Sequence, residues 1–103
     1  MIPEELLIKT IEKVYHQIKP YINTTPLIKA NNYIDDAFNS NIYLKYECFQ
    51  KSGSFKARGA INNILSSNEK DLENGITAVS AGNHAIAASY AANIFNLKNK
   101  IFL

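Results

Sequence analysis

The sequence predicts an α/β protein built on an open parallel sheet, and three observations carry that reading. Strand-like and helix-like segments alternate from Ile42 to the last residue. Two of the strands run into helices through short turns, Gly53-Ser54 in one case and Ser80-Ala81-Gly82-Asn83-His84 in the other. The helix after the second turn is rich in alanine, which lets a helix lie close against a sheet. Alternation of this kind is the signature of parallel strands, which need crossover helices to return the chain to the same edge.

The elements follow in order. Residues 3–19 read as an amphipathic helix: Pro3 suits the first turn, Glu4 and Glu5 complement its positive end, and Pro20 stops it. Ile8, Ile11, Tyr15 and Ile18 share one face, with Leu7 and Val14 beside it. Asn23-Thr24-Thr25-Pro26 breaks the chain, Leu27-Ile28 is a short extended piece, and Asn31 to Phe38 is a short helix closed by Asn39-Ser40-Asn41. Ile42 to Glu47 has the β-branched and aromatic content of a strand. Gly53-Ser54 then turns the chain, with Ser54 the expected N-cap of a helix from Phe55 to about Leu65. That helix would bury Ala57, Ala60, Ile61, Ile64 and Leu65. Ser66 to Asn74 is a polar connector and the expected domain crossover, and Ile76 to Val79 is a short buried strand. The alanine-rich helix reaches about Phe95, and Lys100 to Leu103 opens another strand. So few strands cannot cover both faces of a parallel sheet. The chain therefore reads as the N-terminal fragment of a longer protein, inactive on its own.

Composition limits the function classes. The chain has 103 residues, 47% hydrophobic and 19% charged, with net charge +2, which fits a globular chain of at most one domain. The charge is small and scattered, and no Lys/Arg cluster is interleaved with aromatics, so no nucleic-acid partner is expected. The N-terminus shows no basic region before an apolar core, and no apolar run is long enough to span a bilayer. A cytoplasmic location with no membrane association is the expectation. The single cysteine, Cys48, has no disulfide partner and no zinc-ligand spacing, so no metal site is expected, and it reads as a small core hydrophobe. Tyr43, Tyr46 and Tyr90 read as core aromatics. Glu47 has no second carboxylate at a spacing useful for hydrolysis. Arg58, two positions after Lys56, reads as a structural ion-pair partner, with Glu47 the candidate.

Lys56 stands out by its place. It lies just inside a helix start, near the positive end of the helix dipole, where a neutral amine or an imine is better tolerated than an ammonium. Lysine can form a Schiff base with an aldehyde cofactor. Taken without further context, a solvated helix lysine is the alternative, and Ser80 and Asn83 are equally readable as helix caps.

Three ordered motifs narrow these alternatives. The segment Leu44 to Ala60, including Gly53-Ser54-Phe55-Lys56-Ala57-Arg58-Gly59, resembles the lysine segment of the threonine/serine dehydratases. These are fold type II pyridoxal-phosphate enzymes of the tryptophan synthase beta-like superfamily. Thr25-Pro26-Leu27 is similar to the tripeptide that opens these enzymes, and Ser80-Ala81-Gly82-Asn83-His84-Ala85 looks like their asparagine loop. The resemblance implies a three-layer open parallel sheet, incomplete in this chain. Residues 1–75 would start the large cofactor-binding domain and residues 76–103 the small one.

The resemblance also implies roles. Lys56 would carry pyridoxal 5'-phosphate and be the catalytic base, Phe55 would pack on one face of its ring, and Asn83 would bond its phenolic oxygen. Ser80, Gly82, Asn83 and His84 would receive the carboxylate of a small amino-acid substrate, a role that helix starts perform for anions in general. The implied activity is that of an ammonia-lyase: threonine or serine is dehydrated and deaminated to a 2-oxo acid, as in isoleucine biosynthesis, by a parent enzyme that is a homo-oligomer. Serine racemases are similar but carry a serine where this chain has Ala81, so a racemase or related β-eliminase is the runner-up, and an inert truncated piece is the non-enzymatic alternative. The chain departs from the dehydratase pattern at Ile86-Ala87, where Gln-Gly is usual. Its four glycines are isolated, with no glycine-rich phosphate cup among them.

Overall fold

A computed structural model describes Met1 and residues 3–103; Ile2 lies outside the described residues. Helix α1 (Glu4–Ile18) begins behind Pro3, whose carbonyl accepts the N–H groups of Leu6 and Leu7, and ends in a 3₁₀ turn, Lys19–Tyr21. Strand β1 (Leu27–Lys29) follows, then helix α2 (Asn32–Phe38), strand β2 (Tyr43–Lys45), and two 3₁₀ turns at Glu47–Phe49 and Lys51–Gly53. Helix α3 (Lys56–Ser66), one-turn helix α4 (Glu69–Leu72), strand β3 (Ile76–Val79), helix α5 (Asn83–Ile94) and strand β4 (Asn99–Phe102) complete the chain.

The strands form two pairs of opposite sense. β3 and β4 are parallel, with Ile76 opposite Asn99 and Val79 opposite Phe102, and α5 is their crossover. β2, expected in the same parallel sheet, instead pairs antiparallel with β1, Ile28 facing Leu44. The cause is local. α2 is a reversal only two turns long, opened by the Asn31 side chain bonding the Ile34 N–H at 3.1 Å and closed by Asn39 in the left-handed region. The Asp35 carboxylate accepts the Ile42 N–H at 2.8 Å, so the chain leaves the helix directly alongside β1. The connector after α3 also contains more structure than its polarity suggests. Asn68 caps α4 by accepting the Asp71 N–H at 2.9 Å.

One apolar core joins residues on both sides of position 75. Ile18, Ala57, Ile61, Ile64 and Ala91 are buried together, with Ile76, Tyr90, Ile94, Phe95 and Leu97 against them. Ile61 is wholly enclosed, which contributes about 2–3 kcal/mol. The Tyr21 and Phe95 rings meet at 4.9 Å between centroids, tilted by 55° as aromatic pairs prefer. Ala87, Ala88, Ala91 and Ala92 form the buried stripe of α5. α1 joins this core only through its C-terminal half; Leu7, Ile8, Ile11 and Tyr15 of the expected apolar face stay exposed.

Three expected core positions lie outside it; in β3, expected to be a buried strand, only Ala78 is buried and Val79 is 77% exposed. Cys48 is exposed, because the chain leaves β2 into a 3₁₀ turn that directs it to solvent. Tyr43 is exposed on the β1–β2 pair, which no described element covers on that side. No helix of the described residues is long and apolar enough to cross a membrane.

Gly75 is the position where the fold tolerates no side chain. Its φ is +84°, and a Cβ there would lie 2.2 Å from the Lys98 carbonyl oxygen, the atom that accepts the Ile76 N–H at 2.9 Å and starts the β3–β4 ladder. Gly75→Ala should therefore cost at least about 2 kcal/mol. The check is hydrogen exchange at Ile76–Val79, which should quicken strongly while the α1 amides are unchanged.

Candidate active site

The turn before α3 is built around Gln50. Its buried side chain accepts the Asn23 N–H at 2.8 Å and the Lys51 N–H at 2.9 Å, and donates to the Asn23 carbonyl at 2.9 Å. Ser52 and Gly53 then both take positive φ, 60° and 74°, which reverses the chain into α3. Ser54 is extended and Phe55 takes helical angles, and the hydrogen-bonded helix runs from Lys56, one residue later than expected. Ser54 is no side-chain cap: its carbonyl accepts the Ala57 N–H at 3.4 Å, while its hydroxyl, like that of Ser52, is buried with no partner among the described residues.

Lys56 lines a cleft of about 520 Å³ between α3, β3 and the start of α5, together with Phe55, Asn63, Thr77 and His84. Its Nζ sits 5.3 Å from the centroid of the Phe55 ring, within cation–π range. The Phe55 ring is 61% exposed and Lys56 is exposed as well. No described residue supplies the shielding a Schiff-base lysine needs.

The asparagine loop forms the adjoining rim. The Gly82 N–H donates to the Ser80 hydroxyl at 3.2 Å, and α5 opens at Asn83. Among the described residues the N–H groups of Asn83, His84 and Ala85 have no backbone acceptor, as at any helix start. His84 reaches the cleft wall, while Ser80, Gly82 and Asn83 stand beside it and do not line it. Asn63 and Thr77 were not singled out from the sequence. Asn63 was detectable, being seven residues after Lys56 and hence on the same helix face; Thr77 had no such signal.

On the other side of α3, Arg58 meets Glu47 in a two-pronged contact, Nε to Oε2 at 2.8 Å and Nη2 to Oε1 at 2.7 Å. The Thr25 hydroxyl donates to the same carboxylate at 2.5 Å. This is the ion pair expected from the sequence. The Arg58 hydrogen bonds, aided by Thr25 and opposed by burial, hold the Glu47 carboxyl at about 2, below its ordinary 4.5. The same contact raises Arg58.

The family described as pyridoxal-phosphate dependent enzyme matches residues 18–103. The chain belongs to that family. It is 43% identical over 95 residues to the biosynthetic L-threonine dehydratase of Staphylococcus saprophyticus, covering 92% of this chain and 22% of that protein. It is 40% identical over 87 residues to the serine racemase of Dictyostelium discoideum, covering 84% of this chain and 26% of the racemase. The crystal structure of the Dictyostelium racemase superposes with a TM-score of 0.80 at 38% identity, over 91% of this chain and 31% of that one. The chain thus spans about a quarter of the length of the curated relatives it matches. Its fold is part of the α/β tryptophan synthase beta-like architecture, and the family's cofactor is pyridoxal phosphate.

The residues present fit one half of that cofactor. The Lys56 amine, the group with which an aldehyde condenses, shares one cleft with the exposed Phe55 ring and the His84 imidazole beside a helix start. A phosphate cradle is a different matter. Gly53, Gly59, Gly75 and Gly82 are separated along the chain and form no glycine-rich run of consecutive backbone N–H groups.

The depressed Glu47 carboxyl makes a pH prediction for this family member. A folded value below the unfolded one stabilises above pH 4.5, and that contribution disappears as pH falls from 4.5 toward 2. With the Arg58 and Glu47 side chains 27% and 16% exposed, solvent screening leaves about 2 kcal/mol. Carbon-detected titration of the Glu47 carboxyl should give a midpoint near 2 that moves up toward the ordinary 4.5 in Arg58→Gln.

Proposed function

We propose that this chain is the lysine-bearing segment of an enzyme that dehydrates and deaminates threonine or serine to a 2-oxo acid and ammonia. The observation that carries the reading is the shared cleft of Lys56, Phe55 and His84 next to the opening of α5. Residues 1–75 would belong to the large domain and residues 76–103 would begin the small one, with the cofactor held between the domains of the complete enzyme.

Lys56 would hold pyridoxal phosphate by its amine, Phe55 would cover one ring face, and Asn83 would bond the phenolic oxygen. When bound, the cofactor supplies an electron sink for the pair left at the substrate's Cα. The opening N–H groups of α5, with the Ser80 hydroxyl, bind the substrate carboxylate, since a helix start carries partial positive charge. Once the substrate's own amine has displaced it from the cofactor, the Lys56 amine would take the Cα proton, and its placement on one side would fix the face from which that proton leaves. The β-hydroxyl departs as water. Hydrolysis of the resulting enamine consumes one water and releases ammonia, so threonine yields 2-oxobutanoate.

Ala81 favours elimination over racemisation. Returning a proton to the opposite face needs an acid there, and a methyl group has no proton to give. The 40% identity to a serine racemase keeps racemisation as the second reading, and position 81 is what separates the two.

Two experiments test this in the complete enzyme. Lys56→Ala should abolish turnover, a loss of at least about a thousandfold, whereas Lys51→Ala should stay near the parent rate; borohydride reduction and peptide mapping should find the cofactor on Lys56. Attachment to another lysine would refute the assignment. Ala81→Ser should raise the ratio of racemisation to elimination by about tenfold or more, and a parent enzyme that already racemises serine faster than it deaminates it would favour the second reading.

A further inference from the structure

We propose that Glu47 and Arg58 are positioning residues for Lys56, their paired side chains fixing the rotation of α3 about its own axis so that Lys56 stays turned into the cleft. The inference rests on Lys56 being the reacting lysine. Successive helix residues are set about 100° apart, so Arg58 projects about 200° round from Lys56. The structure follows this division: Lys56 lines the cleft with Phe55 and His84, while Arg58 reaches Glu47 beyond the end of β2. A two-pronged guanidinium–carboxylate contact defines a direction as well as a distance.

The carboxylate is itself anchored. Thr25, buried just before β1, donates its hydroxyl to Glu47 at 2.5 Å, and its carbonyl accepts Lys45 Nζ at 2.8 Å. One end of the contact sits in the 3₁₀ turn just past β2, tied by Thr25 to the segment before β1, and the other end sits on α3. The helix start needs such a tether because no side chain caps it; the Ala57 and Arg58 N–H groups bond only the carbonyls of Ser54 and Phe55, at 3.4 and 3.1 Å. A displacement of the order of 1 Å at a reacting atom can cost about a hundredfold in rate, so a small loss of rotational restraint is enough to register in turnover.

The test uses the complete cofactor-loaded enzyme for rates and its cofactor-free form for exchange. Glu47→Gln and Arg58→Lys should each lower kcat about tenfold or more while KM changes less than about threefold. Each should also speed amide hydrogen exchange at Lys56–Gly59 without altering α5. Arg58→Lys keeps the charge and loses only the fork, and Thr25→Val, milder still, should shift both readouts in the same direction by less. Ile61→Val loosens α3 from its buried side without touching the pair, and should lower Tm with kcat nearly unchanged. If kcat in all four variants simply tracks lost thermal stability, or if exchange at the α3 start does not change, the proposal fails. Lys56→Ala separates the two layers. Continued turnover there removes the premise, whereas a dead Lys56→Ala enzyme with pair variants that behave like Ile61→Val removes the positioning role alone.

Discussion

Close packing of α3 on α5 is the constraint on which the site depends. Each helix follows a turn that the motifs single out, and the cleft lies where the two helix starts are held side by side. Alanine makes this possible. Ala57 on α3 and Ala87, Ala88, Ala91 and Ala92 on α5 are all buried, and larger side chains at these positions would push the axes apart. Ile61 and Ile64 fill the remaining space.

The parts of the fold legible in the sequence are those governed by local chemistry. β3 lies where its β-branched run predicts, and α5 has the length its alanines and the polar turn before it imply. Arg58 with Glu47 was legible because a helix residue two places from Lys56 must face away from it, toward the preceding strand. The order of strands was not legible in the same way. Alternation predicts parallel pairing, yet β2 pairs with β1 because a two-turn helix and the Asp35–Ile42 contact bring the chain straight back. That outcome depends on a side-chain acceptor in α2, which no periodicity encodes.

The motifs name residues, and geometry decides which of them meet. Lys56, Phe55 and His84 share the cleft, whereas Asn83 and Ser80 stand at its rim. The Ser54 cap failed for a physical reason. Positive φ at Ser52 and Gly53 turns the chain so sharply that Phe55 is already helical, and the hydroxyl expected to serve the helix N–H groups is enclosed away from them. Cys48 was misplaced by the same neighbourhood: hydrophobic character argues for burial only if the backbone continues as a strand, and here it leaves β2 in a 3₁₀ turn.

The turn before Lys56 is a local departure from what is stable. Two buried hydroxyls without partners cost about 1–3 kcal/mol each, and a serine in the left-handed region about 1 kcal/mol more. Against this stand the three hydrogen bonds of Gln50, worth about 1 kcal/mol each, and the charged contact of Arg58 with Glu47. The two sides are of similar size, so the hydrogen bonds of Gln50 and the Arg58–Glu47 contact are what hold the turn in its shape. A turn of this kind does something a relaxed loop cannot. By reversing the chain within two residues it sends α3 back past the end of β2, which places Arg58 within reach of Glu47 and leaves the opposite face of the same helix turn, with Lys56 on it, open to the cleft. Strain before the lysine and the ion pair after it are two consequences of one requirement, that α3 begin at a fixed place with a fixed rotation.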